Sequence, residues 1–244
     1  MKSLSGAFPI GRVLAQLAVL SVLPLFVVKL CAETHRFYPT RYFNTFSFAH
    51  EPLLRIRPGD RVITETIDAR GFDNHGQRVG EGPNPQTGPF FVEGAERGDI
   101  LVVYLESIEP SRSTAWSSSV LAPYVADPRF LRFEGERKQT TETWIIDKEK
   151  NTARLDSDTI RPQGIEFPLR PMLGCVATAP DRKEAVSTST PGSFGGNMDY
   201  NGMVAGVKLM LPVYELGAIF FLGDGHARQG AGEVVGNAAE VSMQ

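Results

Sequence analysis

The chain has 244 residues, 42% of them hydrophobic and 22% charged, with a net charge of −3. That composition excludes a disordered chain, and the 24 glycines and 17 prolines are too few and too aperiodic for a collagen-like or low-complexity protein. The acidic balance supplies no basic surface for nucleic acid, and two cysteines exclude a disulfide-stapled miniprotein or a zinc site made of cysteine alone.

Residues 1–32 stand apart from the rest. Lys2 and Arg12 precede an apolar run from Val13 to Val28, and no acid appears before Glu33. The pattern reads as a secretory signal, or as an N-terminal anchor slightly short for a full span and interrupted by Pro24. It predicts an exported protein, periplasmic or extracellular, that meets a membrane only through this segment if it is uncut. Leu30-Cys31-Ala32 makes a poor cleavage site and a weak lipobox. Residues 33–244 then form the domain.

Strand signals dominate that domain. Leu53 to Arg57, the Pro58-Gly59 pair and Arg61 to Ile67 predict two strands joined by a tight turn. Ile100 to Leu105 is apolar at every position and predicts a strand buried on both faces. A single short helical turn is expected near Asp127 to Phe133. Glu142 to Asp147 and Thr152 to Leu155 form a hairpin candidate. Leu173 to Val176 reads as a buried strand, which makes Cys175 a small buried apolar residue rather than a nucleophile. Lys208 to Val213 and Leu216 to Leu222 make the last pair. The sum is a mainly β, single-domain fold of sandwich or barrel type with few helices.

Four histidines can be weighed one by one. His226 follows an apolar run within Gly223-Asp224-Gly225-His226, and on extended backbone Asp224 and His226 point to the same side. The flanking glycines permit a sharp turn and a close approach. Such a pair can hold a divalent metal or act as a general acid and base, and it can equally be a capped turn with a surface histidine. Glu233, seven residues on, can fold back from a glycine-rich loop. A second Asp-x-His, Asp73-Asn74-His75, reads as solvated turn residues at least as well as ligands. Asp68, which ends an apolar strand, is the stronger candidate there. His50 abuts the same region from Phe46-Ser47-Phe48-Ala49, where packing against aromatic rings is the plainer explanation; His35 is expected at the surface. Gly195 and Gly196 can present backbone N–H groups to a carbonyl oxygen gaining charge, or simply turn the chain. Nucleophilic-serine, Walker and dinucleotide-binding motifs are absent.

Taken together, several segments resemble the acetamidase/formamidase family. They are Pro58-Gly59-Asp60, the run from Asn84-Pro85-Gln86-Thr87-Gly88-Pro89 to Gly98-Asp99, Leu169 to Gly174, Gly195-Gly196-Asn197-Met198-Asp199 and Leu222-Gly223-Asp224-Gly225-His226. The resemblance spans about Tyr38 to Met243. It implies hydrolysis of short linear amides such as formamide or acetamide to a carboxylate and ammonia, on a largely β fold that forms homo-oligomers. It also implies a divalent metal, zinc or calcium, near the Gly-Asp-Gly-His segment. Carried onto this chain, the resemblance matches Asp68, Asp224, His226 and His50 to the family's acidic and imidazole positions, and read as chemistry those four are the candidate metal ligands. Glu93 or Glu233 becomes the proton-transfer group, and Gly195, Gly196, Asn197 and Asp199 line the substrate or its oxyanion. Two departures stand out. Ala231 replaces an acid usual in the family, and the chain stops at Gln244 where members continue into further strands. The second predicts an open sheet edge or completion by another chain. The two departures together motivate an alternative reading, an exported and catalytically impaired member kept as a binding scaffold.

Overall fold

A computed structural model describes residues 32–119, 123–125, 127–129, 140–156 and 164–244. Apart from Ala32, the expected leader lies outside these residues, as does the end of the helical turn expected after Arg129. In chain order the strands are β1 (Thr34–Phe37), β2 (Thr45–Ser47), β3 (Leu54–Ile56), β4 (Arg61–Thr64), β5 (Thr87–Val92), β6 (Ile100–Tyr104), β7 (Thr114–Ser118), β8 (Thr141–Asp147) and β9 (Thr152–Asp156). They continue with β10 (Glu166–Pro168), β11 (Met172–Ala177), β12 (Ala185–Ser187), β13 (Pro191–Gly192), β14 (Gly195–Asn197), β15 (Lys208–Pro212), β16 (Phe220–Arg228) and β17 (Ala239–Glu240). Helix is confined, among the described residues, to short 3-10 turns and the helical pair Pro128-Arg129.

Eleven of these strands form one sheet that runs β10-β9-β8-β7-β17-β16-β11-β14-β13, with β5 on β16 and β3 on β5. Among the described residues it does not close into a barrel. Its centre is the antiparallel pair β11–β16, in which Leu173 faces Gly225 and Cys175 faces Gly223. Successive side chains of a strand point to opposite faces, and here both faces are covered. Val176 and Phe220 join a core with Phe90, Leu173 and Met243, while Cys175 and Phe221 join another with Phe46 and Phe194. That two-sided packing explains why every residue of β11 is buried. Burial also pushes the Cys175 thiol up, as expected for a packing residue.

The β8–β9 hairpin forms as the sequence suggests, with Asp147 opposite Thr152. Three other expectations change. The two runs read as the last pair do not join each other: β15 lies on β6, and β16 on β11, β17 and β5. β3 and β4 flank the Pro58-Gly59 turn without pairing: β3 lies parallel to β5 and β4 parallel to β1. The Asp60 carboxylate explains the divergence, since it accepts the N–H of Arg57 at 2.8 Å and that of Glu33 at 2.9 Å, tying the turn to the residue just before β1. β6 is exposed along one face. Among the described residues it pairs only with β15, and Ile100, Val102, Tyr104 and Met210 of that two-stranded ribbon lie open. An apolar run thus marks strand here, without marking two-sided burial.

A buried cluster of acids around His226

The strand pairing gathers five ionisable side chains. β16 carries Asp224 and His226 inside the strand rather than at its end, and Asp224 takes a left-handed backbone (φ 59°) that breaks the regular pleat. β17 places Glu240 directly opposite His226. Asp199 follows β14, where its N–H and that of Met198 both donate to the Gly174 carbonyl at 3.0 and 3.1 Å. Glu233 comes from the turn Ala231–Glu233. Among these five only Glu233 is partly exposed; the others are buried.

The imidazole is held by a residue that carries no charge. His226 Nδ1 meets Gln229 Oε1, while Gln229 Nε2 donates to the carbonyls of Asp199 (2.6 Å) and Gly230 (3.0 Å). An amide oxygen only accepts, so the proton sits on Nδ1. Nε2 therefore faces the acids, 3.0 Å from Glu240 Oε1 and 3.4 Å from Asp224 Oδ1, in neither case aligned as a hydrogen bond. A bare nitrogen lone pair against carboxylate oxygens is repulsive, so a positive charge belongs between them. A proton on Nε2 or a metal cation meets that need.

Two further observations favour a cation. Among the described residues, the atoms Asp199 Oδ1 and Glu240 Oε2 are buried without a hydrogen-bond partner, and such atoms are uncommon in folded proteins. One ligand atom each from Asp199, Asp224 and His226 lies within 4.8 Å of the others, and the same holds for His226, Glu233 and Glu240. Zinc ligands at about 2.0–2.2 Å, or calcium ligands at about 2.3–2.6 Å, would be separated by comparable spans. Gly174 keeps the middle of the cluster open: a Cβ there would lie 2.5 Å from both Asp199 Oδ1 and Asp224 Oδ2. The residues fit a divalent cation.

Their titration reflects the crowding. Burial, reinforced by Asp224, pushes Asp199 up to about 7. Burial and then Glu240 push Glu233 up to about 8. Glu240 is raised by burial against the pull of His226. Burial alone would lower His226, but Glu240 and Asp224 outweigh it and hold the imidazole well above its usual value. Every shift has the same linkage sign: protons bind the folded state more tightly, so the stability they confer is complete below the unfolded values and is lost as pH rises through the folded ones. For Glu233 that window runs from about 4.5 to about 8. The depressed carboxyl of Asp60, held near 2 by backbone N–H groups, titrates below it. The cation-free protein is therefore expected to melt at a lower temperature at pH 9 than at pH 5, each kcal/mol lost showing as about 2–4 °C, and saturating zinc should flatten the difference. Differential scanning calorimetry on chelated and reloaded protein checks this.

The other candidates lie elsewhere. Asp68 is fully buried, but its partner is an arginine: Oδ2 contacts Arg112 Nη2 and accepts Trp116 Nε1–H at 3.1 Å, and Oδ1 accepts the N–H groups of Arg70 and Phe72 at 3.0 Å. It pins the loop after β4 to β7. Arg112→Leu would strand that carboxylate and is expected to cost about 3–5 kcal/mol, measured by urea unfolding. His50 bonds Thr45 through Nε2 at 2.7 Å and stacks on Phe43 at 4.2 Å. Glu93 is a surface residue paired with Arg55 at 2.9 Å. Asp73 accepts the N–H groups of His75 and Gln77, and His75 is exposed, as in an ordinary turn. Gly195 and Gly196 lie in β14 between β11 and β13, where added Cβ atoms would fall 2.3 Å from the Val176 carbonyl and 2.4 Å from that of Thr190. Close packing accounts for both glycines. Asn197 donates to Asp199 Oδ2 at 2.9 Å and so stands behind the cluster. Glu240 and Gln229 were not singled out by the sequence reading. Ala231 is exposed, and the five ionisable groups meet without an acid there.

Fold and site together define a β-sheet protein with a buried carboxylate–imidazole centre. A family model described as the acetamidase/formamidase family matches residues 39–185 and 181–244, and the chain belongs to that family. It is similar to an acetamidase of Bacillus halodurans of known structure, with 28% identity and a TM-score of 0.68, covering 86% of this chain and 68% of that one. A Thermoanaerobacter tengcongensis protein described as a predicted acetamidase/formamidase gives 27% identity and a TM-score of 0.70, covering 87% and 67%. A Schizosaccharomyces pombe protein provisionally named a formamidase is 24% identical over 197 residues, 61% of this chain. The chain spans 46% of that curated relative's length.

Proposed function

We propose that the cluster around His226 is the centre of an amidase acting on short linear amides, converting amide and water to carboxylate and ammonia. The observation that carries it is the Nε2 lone pair of His226 set against Glu240 and Asp224, in a cluster where, among the described residues, Asp199 Oδ1 and Glu240 Oε2 lack hydrogen-bond partners. Membership of the acetamidase/formamidase family and the likeness to the Bacillus halodurans acetamidase support the substrate class.

Asp199, Asp224, His226 and Glu240 would hold a divalent cation. Such a cation, when bound, supplies Lewis acidity and makes water nucleophilic near neutral pH. The imidazole ligand favours zinc over calcium, which takes oxygen donors. Gln229 keeps the Nδ1 proton in place and leaves Nε2 free to bind, the usual arrangement behind a ligating histidine. Glu233, part-exposed and closest to solvent, takes a proton from the attacking water and returns it to the departing nitrogen. Its raised pKa suits both halves of that exchange. The scaffold reading loses its first motive, because position 231 is at the surface and the acids and imidazole assemble regardless.

Ammonia release from formamide and acetamide tests the proposal, using chelated protein and the same protein reloaded with zinc or calcium. Turnover that disappears on chelation and returns with metal is expected. Full turnover in chelator, or none with any cation, would overturn it.

A further inference from the structure

Outside the cluster, three side-chain amides, Gln86 and Asn84 buried and Asn197 part-buried, form a chain with a direction. Gln86 Nε2 donates to both the backbone carbonyl and Oδ1 of Asn84, each at 2.9 Å. Asn84 Nδ2 donates to Asn197 Oδ1 at 2.8 Å. Asn197 Nδ2 donates to Asp199 Oδ2 at 2.9 Å. An isolated amide can be turned end for end, but this set cannot. The Asn84 carbonyl accepts only, so it fixes Gln86 nitrogen-first; Asn84 must then meet Gln86 with oxygen and Asn197 with nitrogen; and Asn197 must show nitrogen to the acid. The direction has a visible cost: Gln86 Oε1 is buried with no partner among the described residues, packed where a Cβ on Gly223 would come within 2.6 Å.

We propose that Gln86 and Asn84 are positioning residues, a one-way amide relay that fastens Oδ2 of Asp199 and thereby presents its partnerless Oδ1 to the cation. The inference rests on the cation reading of the preceding subsection. It also explains the Asn84-Pro85-Gln86 spacing, since both amides must lie on one side of a fixed turn, and it gives Gly223 a task distinct from that of Gly174.

Asn84→Asp is the informative variant. Gln86 keeps its bonds, but a carboxylate at position 84 has no donor for Asn197, which must turn its nitrogen back and set its oxygen against Asp199. Added negative charge alone would tighten cation binding; the relay predicts weakening by about 10- to 100-fold, the usual effect of disturbing the partners behind a ligand. Zinc titration of the chelated full chain by calorimetry reads the affinity, and circular dichroism confirms folding. Zinc bound to folded N84D as tightly as to the wild type, or more tightly, overturns the relay. If N84D does not fold, Gln86→Met, similar in size and without the locking donor, takes its place, and unchanged zinc affinity there is equally fatal. If the wild type takes up neither zinc nor calcium, the cation reading fails separately. Metal-free crystal structures of the wild type and the variant then decide: Asp199 displaced in the variant supports the relay, and an unmoved Asp199 refutes it.

Discussion

Gly174→Ala is expected to reduce cation affinity and kcat/KM on short amides by about 100-fold, the scale associated with displacing a reacting group by about 1 Å. The variant alters no ionisable residue. Its added methyl would lie 2.5 Å from Asp199 Oδ1 and Asp224 Oδ2 and 3.0 Å from His226 Cε1. Those separations are shorter than carbon normally tolerates, so the two acids must part. Within a strand, alanine is otherwise favoured over glycine by about 0.5–1 kcal/mol, and the cation-free protein should fold as well as the wild type. Zinc titration and ammonia release read the two effects side by side. Unchanged affinity and turnover would show that nothing occupies the space between Asp199 and Asp224.

Glu233→Gln separates catalysis from binding. Removing a general acid–base typically costs about 10²–10⁴ in rate, and that loss is expected in kcat, since Asp199, Asp224, His226 and Glu240 remain. Glu233 must be ionised to accept a proton, so wild-type turnover should rise with pH through its pKa, which bound metal draws below the value of about 8 set by burial and Glu240. The variant should lose that rise. Stability should move the opposite way: above pH 8 the wild type carries an ionised, half-buried carboxylate beside Glu240, so cation-free E233Q should melt higher. A variant with wild-type kcat and an unaltered pH profile would remove Glu233 from the mechanism.

Much of this arrangement could be read from the chain, and the parts that could not share one cause. Asp224 and His226, two apart between glycines, announced themselves by spacing; Asp199 and Glu233 were found through the stretches that contain them. Glu240 was missed because its importance comes from pairing, β17 laid against β16 with Glu240 facing His226. The available signal was an acid inside the apolar run Ala238 to Val241. Asp68 shows the converse. Its place at the end of an apolar strand made it a candidate ligand and it is indeed buried, yet a buried carboxylate needs a cation of some kind, and sequence could not say that Arg112, 44 residues on, would be that cation. Glu93 and His50 sat in suggestive segments, but β3–β5 pairing brings Arg55 to the first and the packing of β2 surrounds the second with Phe43 and Phe221. Strand content and the mainly β class followed from β-branched runs and turn pairs. Strand partners followed only for the β8–β9 hairpin: whether β3 joins β4 or β5 depends on contacts made far along the chain.

Elemental analysis of the purified chain, before and after His226→Ala, tests the central claim most directly. One divalent cation per wild-type molecule, retained through dialysis and lost from the variant, is the predicted result. Wild-type protein that hydrolyses formamide or acetamide while holding no divalent cation above background would contradict it.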